Sequence, residues 1–146
     1  MEYGSKKAVI KEYYISDDKG TVTEAILKGN PFTIHMKVQM MEDLHAPIFA
    51  FTIKNVRGTE ITGTNTMFEK AFLEPVQAGE TYEIAFRQEM NLQGGEYLLS
   101  LGVTGYEEDE FTVYHRLYDV LNVTVISDKN TVGFYDMNSQ IEVKRV

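Results

Sequence analysis

Phe32-Thr33-Ile34-His35-Met36-Lys37-Val38-Gln39-Met40 carries an apolar side chain at every second position, with Thr, His, Lys and Gln between them. On a helix of 3.6 residues per turn these five side chains would be spread around the axis, whereas a strand puts them all on one face. The stretch therefore reads as a strand with one buried and one wet side. The same alternation recurs at Phe49, Phe51 and Ile53, at Tyr82, Ile84 and Phe86, and at Tyr97, Leu99 and Leu101. Turn residues bound these runs: Pro47, Gly58, Gly79 and the pair Gly94-Gly95. Less regular strand patterns cover residues 9–15, 60–63, 111–114, 121–126 and 141–143, and no stretch sustains a helical period. Many short strands, each with one apolar face, call for two antiparallel sheets packed face to face. The fold class expected is all-β, a two-sheet antiparallel β-sandwich of immunoglobulin-like or jelly-roll type.

The 146 residues, 43% hydrophobic and 25% charged, have the size and composition of one globular domain, expected to span residues 1–146. The segment after residue 127 is the least regular part. Residues 128–130 read as a turn, after which the tail, about 132–146, must either form a further strand or reach out to a neighbour. Fourteen Lys and Arg against twenty-two Asp and Glu give a net charge of -8, which opposes binding to phosphate backbones or anionic lipid, so nucleic acid is not an expected partner. Having no cysteine, the chain has no thiol chemistry, disulfide or Cys-ligated zinc, and its compartment is left open on that ground. No apolar run is long enough to cross a bilayer and no leader pattern stands at the N-terminus, so direct membrane insertion is not expected. Nine Tyr and eight Phe with no Trp favour surfaces that are apolar on the ring face and polar at the tip.

Reactive motifs are sparse. Gly58-Thr59-Glu60-Ile61-Thr62-Gly63-Thr64 has the glycine spacing of a phosphate loop, but Thr64 stands where the phosphate-binding Lys is required, and a hairpin is the simpler reading. His35, His45 and His115 are far apart and form no HExxH pair. The acidic run Glu107-Glu108-Asp109-Glu110 lacks the spacing and Gly of an EF-hand loop and reads as a solvated loop. No GxSxG elbow is present, and two remote carboxylates for glycoside hydrolysis are a matter for the fold rather than for spacing. The expectation is a recognition domain with no catalytic residue, metal ligand or cofactor.

Several segments in order resemble the C-terminal carbohydrate-binding domain of the nucleotide-binding subunit in ABC exporters of O-antigen-type polysaccharide, the Wzt-type proteins. They are Tyr3-Gly4-Ser5, Ser16-Asp17-Asp18-Lys19-Gly20, Gly29-Asn30-Pro31-Phe32, Pro47-Ile48-Phe49, Ile61-Thr62-Gly63-Thr64-Asn65-Thr66, Gly94-Gly95-Glu96-Tyr97 and Tyr118-Asp119. Gly63-Thr64-Asn65-Thr66 is the most specific of them. The resemblance implies a non-catalytic domain that recognises a finished cell-surface polysaccharide and licenses its export. Its implied partners are an ATPase domain in the intact protein and a membrane permease subunit, at the cytoplasmic face of the membrane. It also implies a homodimer, for which residues 141–143 offer an unpaired strand. The competing readings are a carbohydrate-binding module of a secreted glycoside hydrolase and an adhesion-type sandwich with protein partners.

For the sugar site, the sequence directs attention to Tyr106, Tyr114, His115 and Arg116, where rings, an imidazole and a guanidinium crowd into what reads as a loop and strand end. Sugars offer apolar C–H faces and many hydroxyls, so a site needs a ring together with fixed donors and acceptors. Thr52 and Ser100 join the candidates because each lies between apolar residues of its strand and so points to the opposite face. Tyr114 alternatively fits a core position, and Arg116 an ion pair with the acids at 107–110. Gly63 and Asn65 are expected to shape the backbone rather than to touch sugar.

Overall fold

In the computed structural model of the protein, which describes residues 1–71 and 73–146, the alternating runs are strands of a two-sheet sandwich with no helix among the described residues. The strands are β1 (Glu2–Tyr3), β2 (Ala8–Ser16), β3 (Ala25–Leu27), β4 (Pro31–Met40), β5 (Ile48–Asn55), β6 (Glu60–Asn65), β7 (Thr81–Glu89), β8 (Gly95–Glu107) and β9 (Glu110–Ile126). One sheet runs β1-β9-β8-β5-β6, with β3 added in parallel to β9; the other runs β2-β4-β7. Phe32, Ile34, Met36, Val38 and Met40 are all buried, forming the inner face of the middle strand of the smaller sheet. Opposite them stand Phe49, Phe51 and Ile53 of β5 and Leu99, Leu101 and Val103 of β8. Each such side chain contributes about 1.5–3 kcal/mol when fully buried. The rings of Phe51 and Phe86 meet edge to face at 5.1 Å across the two sheets, adding about 0.5–1.5 kcal/mol beyond area.

Two corrections to the sequence reading concern β9. Residues 111–114 and 121–126, expected as separate strands, are parts of one 17-residue strand. Consequently Tyr114-His115-Arg116 lies within a sheet and not in a loop. The acidic run is the tip joining β8 to β9, where Glu108 and Asp109 take φ of 51° and 68°, the left-handed pair that a two-residue hairpin turn requires. The long strand bulges twice. Tyr114 is an extra residue between the pairs Val103–His115 and Thr104–Val113, and Tyr118, Asp119 and Val120 together oppose Ser100 alone.

Among the described residues the tail forms no strand. It is tied down at Tyr135, which bridges Leu92, and at Asp136, whose N–H donates to the Asn91 carbonyl at 2.7 Å. The Lys28 ammonium gathers this region by donating to the Lys129 carbonyl (2.6 Å) and Gln93 Oε1 (2.9 Å) and pairing with Asp136 Oδ2 (2.7 Å). Hydrogen bonds to Lys28 and to the Asn138 N–H hold the buried Asp136 carboxyl down at about 2. Past this clasp Ile141 and Val143 are 84% and 88% exposed.

Candidate functional site

β8 is the central strand of the larger sheet, and its outward residues Ser100, Gly102 and Thr104 are buried as well as its inward ones. Their cover comes from the flanking strands: Thr52 and Lys54 of β5 on one side, Arg116 and Tyr118 of β9 on the other. With Glu60 at its margin, the result is a groove of about 230 Å³ on the outer face of the sheet, floored by small residues and walled by long polar ones. Gly102 sets its depth at the centre. A Cβ there would lie 3.8 Å from Arg116 Nε, so the guanidinium reaches across a residue that has no side chain to fill the floor.

The groove contains the types of group a sugar requires. Tyr118 offers a ring, with the Lys54 ammonium 5.6 Å from its centroid. Lys54 also lies 3.6 Å from Asp119 Oδ1. Arg116 makes no ion pair among the described residues, and Glu107, the nearest of the acids at the turn to a cation, pairs with Lys7 at 2.9 Å instead. An unpaired guanidinium in a half-buried position presents several donors at fixed geometry. Thr52 supplies a hydroxyl that can donate or accept, and Glu60 supplies an acceptor.

Of the six residues singled out from the sequence, the structure brings together Thr52, Ser100 and Arg116. It separates the others. Tyr114 is 2% exposed, its ring against Gly105, and burial pushes its phenol up from the usual value. His115 is 3% exposed. Its Nδ1 accepts the Ile10 N–H at 2.9 Å and its Nε2 lies 2.9 Å from Glu2 Oε1, so the proton sits on Nε2 and the ring ties both sheets to the N-terminal strand. Two adjacent residues turn inward because Tyr114 is the extra residue of a bulge, which breaks the alternation that would have exposed one of them. Tyr106 is 51% exposed but lies beyond the groove towards the hairpin tip, where it meets Phe111 edge to face at 5.7 Å. Lys54 and Tyr118 were missed by the sequence reading. In the sequence Tyr118 stands out only within the family segment Tyr118-Asp119, and outward position on β5 is the available signal for Lys54.

A second opening, of about 940 Å³, lies where the free edges β6 and β7 leave the sheets apart. Its inner wall is the core itself, Phe32, Phe49, Phe51 and Phe86, and its rim includes Phe134 and Tyr135 of the tail. Its lining also includes Thr62, Thr64, Glu69, Glu83, Arg87 and Gln88, so only its inner wall is apolar. The smaller groove has the denser set of hydroxyl and charged partners that orient a sugar.

Residues 1–137 match the family model described as the Wzt C-terminal domain. Among solved structures, the C-terminal domain of wzt superposes with a TM-score of 0.89 at 24% identity, covering 99% of this chain and 88% of that one. A Niemann-Pick type C2 protein from Japanese carpenter ant superposes with a TM-score of 0.58 at 11% identity, covering 86% and 98% respectively. At these identities the two structures show a shared fold. No curated protein matches the chain.

Proposed function

The chain belongs to the Wzt C-terminal domain family, and from that premise we propose that it is a non-catalytic domain that binds an O-antigen-type polysaccharide in the groove on the outer face of the larger sheet. The observation that carries this reading is the half-buried Arg116, without an ion pair among the described residues, set beside the Tyr118 ring over a floor of small residues. An exposed cation at a surface would be solvated and serve solubility. One laid across a glycine in a walled groove is partly desolvated and gains from a hydroxyl-rich ligand. Thr52 and Lys54 line one wall and Arg116 and Tyr118 the other, so a pyranose would stack on the ring and be fixed by donors from both sides.

In this reading the domain works beside an ATPase domain and a membrane permease at the cytoplasmic face of the membrane, and contributes selection of the glycan rather than chemistry. The domain itself, residues 1–146, acts as a homodimer. The tail past Asn138 carries Ile141 and Val143 in alternation, exposed and without a partner strand among the described residues, while β6 and β7 present free edges beside the larger opening. An unpaired strand and an unpaired edge are a ready-made contact between two copies.

Titration calorimetry with the source organism's purified cell-surface polysaccharide tests the binding site. Arg116→Ala, folded as judged by its melting transition, is expected to lose at least about tenfold in affinity, about 1.4 kcal/mol. Tyr106→Ala is expected to bind as wild type. The reverse pattern would move the site to the hairpin tip.

A further inference from the structure

From Arg116, whose side chain faces the groove, an unbroken strand would point Leu117 inward, Tyr118 outward and Asp119 inward. A carboxylate on the core side would lose its hydration without compensation. The structure avoids this through the second bulge of β9, where the register passes from Leu101–Leu117 to Leu99–Leu121 and leaves Ser100 facing three residues. Asp119 takes a left-handed backbone, φ 54°, a region that Asp enters more readily than most side chains. Its carboxylate thereby turns out to Lys54, while Val120 returns to pack against the core.

Ser100 holds that bend. Its buried Oγ accepts the Asp119 N–H at 2.9 Å, and the hydroxyl lies 3.4 Å from Asp119 Oδ1. With its oxygen engaged on the bulge, Ser100 has little left to offer a ligand. Resting on the groove reading above, we propose that Ser100 and the left-handed Asp119 are positioning residues, which set Tyr118 and Lys54 in the arrangement that meets the glycan. Ser100 thus acts on binding through the backbone of β9 rather than by contact with sugar.

The experiment pairs affinity for the source organism's purified cell-surface polysaccharide with hydrogen exchange at the Asp119 amide. In Ser100→Ala, exchange at that amide is expected to speed at least about tenfold and affinity to fall at least about tenfold, and Ser100→Thr, which restores the hydroxyl, is expected to recover both. Asp119→Gly and Asp119→Ala both remove the carboxylate, but only Gly adopts the left-handed bend freely, so Gly is expected to bind at least about fivefold more tightly than Ala. Equal affinities for these two would overturn the role of the bend. Loss of affinity in Ser100→Ala with the amide as protected as in wild type would make Ser100 a direct contact and overturn the proposal. Wild-type affinity in Ser100→Ala alone places the failure in the positioning role; wild-type affinity in Arg116→Ala as well places it in the groove reading.

Discussion

His115 shows how one side chain can look like a site and serve as a tie. An imidazole between a tyrosine and an arginine suggests a polar binding cluster, yet here both ring nitrogens are engaged, one by the Ile10 N–H of the smaller sheet and one by Glu2 of β1. Removing the ring leaves the Ile10 N–H buried without a partner, a loss of about 1–3 kcal/mol. His115→Ala should therefore lower the melting temperature by several degrees, with polysaccharide affinity of the folded fraction unchanged. Calorimetric melting followed by titration at a lower temperature checks both halves. Arg116, the next residue, has the opposite character, because no acid among the described residues pairs with it. The sequence could propose both residues, but it could not separate them, since which one turns inward depends on a bulge whose partner strand lies ten residues and more away.

At the level of single strands, glycine placement along β8 separates packing from access. A Cβ at Gly105 would come within 2.8 Å of the Tyr114 ring, which is buried and cannot yield, whereas at Gly102 the nearest atom is Arg116 Nε at 3.8 Å. Gly105→Ala is expected to cost about 1–3 kcal/mol and Gly102→Ala much less. Denaturant midpoints of the two variants measure the difference directly. The tail is an element of another kind, held by charge. Its Asp136 carboxyl is lowered from 3.8 to about 2 by Lys28, so the contribution of the clasp is complete above the ordinary value and is lost as pH falls through about 2. The Asp136 carbon resonance should titrate near 2; a midpoint at the ordinary value would mean that the clasp is open in solution. These contrasts mark what could be read from the chain. The runs around Phe32, Phe49, Tyr82 and Tyr97 announced themselves through period two, because each lies on a strand with a buried inner face. Asn65 likewise has the turn role expected of it, its Oδ1 accepting the Phe68 N–H at 2.7 Å, and a Cβ at Gly63 would strike the Phe51 carbonyl. The bulges left no such mark, for no glycine signals the left-handed turn at Asp119, and the tail carries strand-like residues with no partner strand among the described residues.

For the molecule as a whole, the two sheets divide the work. The smaller sheet, β2-β4-β7, buries one face against the core, while the larger adds a groove where its central strand is covered on both sides. Edges of both sheets stay open beside the larger opening, and the proposed dimer would use the exposed tail. Light scattering of the full chain at high micromolar concentration is expected to give the mass of a dimer, and a monomer under those conditions would count against pairing through the tail. Whether the groove is where glycan lands is best measured by amide shift mapping, titrating the source organism's purified cell-surface polysaccharide into labelled protein. Perturbations are expected to concentrate at residues 50–54, 100–104 and 116–119, with Glu12, His35 and Glu83 on the outer face of the smaller sheet unmoved. Perturbations confined to the smaller sheet or to the opening between β6 and β7, with the groove silent, would contradict it.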